Sequence, residues 1–132
     1  MNITEKAEKA VQLKESGMYN CCQAVTLALA EDTAVPEDTL RDIASGFGSG
    51  MGNMEATCGA LVGAAMIASL VIADRGRSRS AARKISEEFK TLCGAYLCKD
   101  LKGRDTHIPL CPCDQCVYNA VIAYGKIMGA AE

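Results

Sequence analysis

The run "TCGALVGAAMIASLVIA", residues 57–73, decides the fold. It falls just short of the roughly 20 apolar residues that a membrane-spanning helix needs, and Gly and Ala dominate it. Its modest hydrophobicity therefore predicts a buried central helix, over about residues 54–74, and no membrane span. Gly59 and Gly63 stand one turn apart, so they lie one above the other on the same face. With Ala60, Ala64 and Ala68 they form a flat stripe where another helix can sit close. A cysteine, Cys58, heads this run, where helix amides and the positive end of the macrodipole stabilise a thiolate.

Outward from this helix the pattern stays helical. On the N-terminal side, "TEKAEKAVQLKES" (4–16) is a polar amphipathic helix stopped by Gly17. Asn20 is suited to cap a second helix in "YNCCQAVTLALAED", with Cys22, Val25, Thr26 and Leu29 on one face. Pro36, followed by Glu37 and Asp38, suits the start of a third, ending near Ser45. Gly46, Gly48, Gly50 and Gly52 then alternate through a loop. It has no GxxxxGK[ST] pattern, so it reads as a place where backbone can approach another group closely, not as a phosphate cradle.

On the C-terminal side, "RGRSRS" (75–80) reads as a basic turn, with Ser80 capping a helix to about Cys98 and Ile85, Phe89, Leu92 and Tyr96 on its apolar face. "KDLKGRDTHIPLCPC" is predicted as a loop. A last helix starts near Asp114, with Val117, Val121, Tyr124 and Met128 on one stripe. No segment alternates with period two, so the expected fold is all-α: a single domain over 1–132, a bundle of about five or six helices around the Gly/Ala-rich one.

Composition narrows the function. Hydrophobic residues make up 49% and aromatic ones 5%, with no Trp, so small aliphatic side chains must fill the core. Fourteen basic against sixteen acidic side chains give a net charge of −2, which offers no basic excess for nucleic acid. "MNITEKAEKA" has no apolar core of a signal peptide, so a cytoplasmic location is expected. In that reducing compartment, eight cysteines in 132 residues point to metal or redox work more than to static bridges. Cys21 and Cys22 fall in a first helical turn, Cys98 at a helix end, and Cys111, Cys113 and Cys116 in the "CPCDQC" turn. Cys93 reads as an ordinary mid-helix residue. "CPC" is too tight for both sulfurs to hold one ion, so one of Cys111 and Cys113 is expected to be spare. The spacing fits neither a zinc finger, a ferredoxin run nor a thioredoxin motif, and no CxxCH is present.

Taken together, these motifs resemble the redox-active family named for its pattern, C_GCAxxG_C_C. Its CGAxxG motif is similar to "CGALVG" (58–63), its NCxQAV to "NCCQAV" (20–25), and its ASGFGxGMG to "ASGFGSGMG" (44–52). The cysteine before LxG matches Cys98 in "CKDLKG", and the last matches Cys113 in "CDQCVYNA". The resemblance covers about residues 5–130. It implies four characteristic cysteines, Cys21, Cys58, Cys98 and Cys113, which could hold an iron–sulfur cluster, as a similar pattern does in split-Soret cytochromes. Cys22, Cys93, Cys111 and Cys116 are additions to the pattern. They leave Cys21 against Cys22, and Cys113 against Cys116, undecided, with Cys22, Cys111 and Cys116 as auxiliary candidates.

Three functions stand beside the plain alternative of a helical domain whose cysteines are merely buried. The first is a redox protein with a cluster on the four matched cysteines, used for electron transfer or redox sensing. The second is a cluster-free thiol/disulfide oxidoreductase using the same four as redox thiols. The third is a structural zinc module. No general acid/base pair stands out; Glu55, one turn before Cys58, either tunes it or favours the helix start. His107, the sole histidine, is expected to be solvated. A redox partner of unknown identity is implied, and the small-residue stripe could pack inside the chain or across a homodimer.

Overall fold

The computed structural model describes residues 1–129. Within them lie seven α-helices: α1 (Ile3–Glu15), α2 (Cys21–Ala28), α3 (Glu37–Ala44), α4 (Gly59–Ile72), α5 (Arg75–Cys93), α6 (Cys98–Lys102) and α7 (Cys113–Met128). Among the described residues there is no strand beyond one isolated antiparallel bridge, Thr57 to Leu97. The all-α expectation holds. The bundle has one helix more than expected because Cys98 and the first four residues of the "KDLKGRD" segment wind into α6.

Helix α4 is the hub, packing against α2, α5 and α7, while α1 lies along α7 and α2. The small-residue stripe explains how. A Cβ on Gly63 would meet the Cys22 carbonyl oxygen at 2.9 Å and Val25 Cβ at 3.2 Å, so glycine lets the α2 and α4 backbones touch. Ala60, Ala64, Ile67 and Ala68 are fully buried around it. No helix among the described residues is long and apolar enough to cross a membrane.

Helix starts follow local chemistry where the sequence carried it. Asn20 Oδ1 accepts from the Gln23 amide at 2.8 Å, and Gln23 Oε1 accepts from the Asn20 amide at 2.9 Å. This reciprocal box satisfies two amides that a helix start leaves free. Asn20 Nδ2 also donates to the Ser45 carbonyl at 3.0 Å, which ties the start of α2 to the end of α3.

Four expectations need correction. Helix α4 begins at Gly59, five residues later than expected, because Gly50–Met54 closes a wide turn through the Met54 amide and Ser49 carbonyl, 2.8 Å apart. The "RGRSRS" segment is not a turn but the start of α5, capped by Asp74, whose Oδ2 accepts from the Arg77 amide at 2.8 Å. Helix α5 ends at Cys93, not Cys98: Gly94, at φ 97°, adopts the left-handed conformation that glycine takes without strain. As a result Leu92 and Tyr96 are about two-fifths exposed, and the buried row is Ala81, Ile85, Phe89 and Cys93. Cys93 is therefore a helix-terminal residue on the core face.

Candidate metal and redox site

Four cysteines stand at the N-terminal ends of α2, α4, α6 and α7. Cys21, Cys98 and Cys113 are the first residues of α2, α6 and α7, and Cys58 is the cap residue of α4. Two short hydrogen bonds bring Cys58 beside Cys98. The Cys58 amide donates to the Tyr96 carbonyl at 2.8 Å, and the Cys98 amide donates to the Ala56 carbonyl at 3.0 Å. The Gly-rich loop folds over this pair. A Cβ on Gly50, which sits at φ 54°, would lie 2.6 Å from Cys98 Cβ, so the group approached by the loop is a cysteine.

These four cysteines share one electrostatic environment. Lys102, at the end of α6, donates a hydrogen bond to Cys113 Sγ, and its ammonium acts on Cys21, Cys58 and Cys98 as well. The Cys21 thiol donates to Cys113, which draws Cys113 down to about 5 against the cost of burial; the Lys102 hydrogen bond and charge add to the effect. Cys21 is correspondingly pushed up, first by that donation and then by burial. Cys58 is held below the ordinary thiol range. The largest cause is a hydrogen bond accepted from Cys116, opposed by burial and aided by the Ala60 and Leu61 amides at the start of α4. Cys98 is pushed up, chiefly by burial, with Lys102 opposing. For Lys102, burial disfavours the charge, but Cys113 and the other sulfurs outweigh it and raise the group to about 12.

A second sulfur group lies next to the first. The Sγ atoms of Cys93, Cys111 and Cys116 are all within 4.8 Å of one another, and all three residues are buried. This triad could hold a metal ion. Asn119 Nδ2 lies 3.3 Å from Cys93 Sγ, and Gln115 Nε2 donates to Asn119 Oδ1 at 3.0 Å, which turns the amide nitrogen toward the sulfur. Cys93 is lowered to about 6, first by a hydrogen bond from Cys116, against burial, and then by Asn119 and Cys111. Burial lifts Cys111 to about 11.

The structure thus separates residues that sequence left ambiguous. Cys21 faces Cys113, whereas Cys22 is fully buried in the α2–α4 interface, its Sγ 3.9 Å from Met66 Sδ, and burial lifts it to about 12. Cys22 joins neither group and acts as a small core side chain. Cys113 stands with Cys21 and Lys102, and Cys116 with Cys93 and Cys111, though its thiol also reaches Cys58. Cys111 and Cys113 face different groups. Two residues were missed. Cys93 was hidden by the misplaced end of α5, although Gly94 directly after it is a helix-stop signal. Lys102 carried no local signal.

Glu55 does not serve Cys58. Its carboxylate pairs with Arg104 Nη2 at 2.6 Å and Lys99 Nζ at 3.7 Å, and the Arg104 hydrogen bond holds its carboxyl below the usual range. Arg104 Nη1 also donates to the Asn53 carbonyl at 2.9 Å, which pins the loop after α6 to the Gly-rich turn. His107 is exposed and outside both sulfur groups.

The family model described as "Putative redox-active protein (C_GCAxxG_C_C)" matches residues 19–127, a stretch that contains all eight cysteines. No curated protein and no solved structure matches the chain.

Proposed function

The chain belongs to the C_GCAxxG_C_C family, described as redox-active, and on that premise we propose that Cys21, Cys58, Cys98 and Cys113 hold an iron–sulfur cluster used for electron transfer or redox sensing. The observation that carries this reading is the position of Lys102, whose ammonium acts on all four sulfurs. Four thiolates holding one cluster would be a heavy load of negative charge in a partly buried site. A fixed cation beside them lowers the cost of deprotonation, which thiolate ligation requires. Helix-start amides, here Ala60 and Leu61 on Cys58, supply the sulfur hydrogen bonds that tune such centres.

A bound cluster would supply one-electron exchange. The chain's own part is to present thiolates, exclude water and set the local charge. Cys58 and Cys98 are buried, with Cys113 half-buried and nearest to solvent. An electron partner would thus approach on the Cys113 side. The test is an oxygen-free preparation analysed for iron, acid-labile sulfide and a visible band that bleaches with dithionite. Colourless protein with stoichiometric zinc would overturn the reading in favour of a structural zinc module.

One contact favours a second reading. The Cys21 thiol donates to a Cys113 thiolate, which is the arrangement of a dithiol ready to oxidise. Without a cluster, the pair would give up two electrons and two protons to form a disulfide. Metal-free protein that stays colourless after anaerobic reconstitution, and yields a Cys21–Cys113 disulfide on peptide mapping after mild oxidation, would establish this reading instead.

A further inference from the structure

Cys93, Cys111 and Cys116 lie outside the four-cysteine pattern, yet they converge more tightly than its members must. They arrive from three different places: the last turn of α5, the loop before α7, and the first turn of α7. Core packing alone does not ask for three sulfurs at one point. Their hydrogen bonding is also over-subscribed. The Cys116 thiol is directed at Cys58, Cys93 and Cys111, and its remaining close neighbour is the Cys111 carbonyl at 3.6 Å. A thiol has one proton and is a weak donor. One cation would satisfy all three sulfurs at once.

The dimensions suit a trigonal ion. Metal–sulfur bonds of about 2.3 Å place three sulfurs roughly 4 Å apart around one centre. The observed separations reach at most 4.8 Å, so rotamer adjustment of less than about an ångström would close the site. A fourth ligand is harder to find. Cys58 accepts a hydrogen bond from the Cys116 thiol, but the Ala60 and Leu61 amides also hold its sulfur and it belongs to the four-cysteine set; the three cysteines are each no more than 5% exposed, which keeps water away. Zinc favours four ligands, whereas three soft sulfurs suit a closed-shell monovalent ion such as Cu(I). An open groove of about 410 Å³ adjoins the site. Its wall includes Gly94 and Leu110, the chain neighbours of Cys93 and Cys111, together with the oppositely charged Asp100 and Lys90. We propose that Cys93, Cys111 and Cys116 form a second sulfur site, distinct from the four-cysteine set, that binds one Cu(I)-like soft cation in three-sulfur coordination.

The test uses Cu(I) as the probe, titrated anaerobically against a Cu(I) chelator into reduced full-length protein carrying Cys21→Ser and Cys113→Ser. Disabling the first group in this way keeps its loading from being mistaken for the second. One equivalent should bind, with three sulfur neighbours by X-ray absorption. Adding Cys93→Ser should weaken binding by more than about tenfold, since the loss of even a supporting group costs that much. Circular dichroism checks that each variant is folded. Should Cys93→Ser unfold the chain, alkylation rates mapped by mass spectrometry in the protein without that change, with and without Cu(I), decide instead: Cu(I) should further slow the already slow labelling of buried Cys93, Cys111 and Cys116 and leave the rate at Cys22 unchanged. No uptake, protection of Cys58 and Cys98 instead, or a four-sulfur site that includes Cys58 would each overturn the proposal.

Discussion

The two sulfur groups are neighbours in space but opposites in charge design. The four-cysteine group has a built-in cation, Lys102, and two of its members, Cys58 and Cys113, are held toward the thiolate. The triad has no such cation among its described contacts; a neutral amide, Asn119, serves Cys93, while Cys111 and Cys116 are pushed toward the thiol. A full charge acts over several ångströms, whereas an amide dipole acts on the sulfur it touches. The first group is therefore prepared to hold negative sulfur before anything binds. The second keeps the protons of Cys111 and Cys116 until a cation displaces them, and its negative charge rests on Cys93 alone.

The largest expected effect comes from Cys58→Ser. A serine oxygen is a poor replacement for thiolate, so iron and sulfide content should fall on the order of tenfold or more. Cys93→Ser should leave both unchanged. Equal losses in the two variants would merge the groups into one site and break the comparison.

Gly63→Leu comes next. Overpacking typically costs ~1–3 kcal/mol, and here the new side chain would press on the Cys22 carbonyl and Val25. Thermal unfolding measures the cost. Because α2 carries Cys21, the displaced helix should also weaken the first group while the triad, built on α5 and α7, keeps its separations. An unchanged unfolding midpoint would mean that the α2–α4 contact is loose.

Lys102→Met sharpens the electrostatic contrast. Cys113 sits at about 5, so its alkylation in reduced, metal-free protein should be nearly independent of pH between about 6 and 8, where the thiolate is already formed. Removing the cation favours the thiol, so the midpoint should climb toward the ordinary range. Each unit of that climb is a tenfold change in thiolate population once the midpoint exceeds the working pH. An unmoved profile would assign the effect to Cys21 alone.

The smallest effect is expected for Asn119→Leu. Cys93 lies at about 6, and Asn119 ranks below Cys116 among the causes. Losing the amide should raise the Cys93 midpoint by less than Lys102→Met raises that of Cys113. Thiolate absorbance followed against pH in both variants compares the two directly; a larger shift at Cys93 would reverse the assignment of charge and dipole.

The elements that sequence made legible were those whose rule is local. Asn20 and Gln23 three residues apart encode a capping box, and Gly59 with Gly63 encodes a close helix contact, because each depends on fixed helical spacing. Rules were misread where two signals competed. A cluster of three arginines reads as a solvated loop that complements the end of the preceding helix, yet Asp74 just before "RGRSRS" caps a new helix there. The resemblance supplied the four candidate cysteines, and Lys102 could not be added to them. Its role depends on its side chain, at the end of α6, reaching Cys113 at the start of α7, which is a tertiary outcome. The partition of Cys111 from Cys113 was equally invisible: two residues apart in sequence, they are assigned by what surrounds them.

That partition rests on Pro112. Its ring fixes φ at −69° and leaves a single rigid residue between a sulfur of one group and a sulfur of the other. Mechanically, this is a rocker with a short arm on each side. Drawing Cys111 inward onto an ion would tilt the first turn of α7, and Cys113 rides on that turn. Occupancy of the triad should then register as a changed alkylation rate at Cys113, with no electron exchanged between them. An unaltered Cys113 rate on Cu(I) loading would show the arms to be uncoupled.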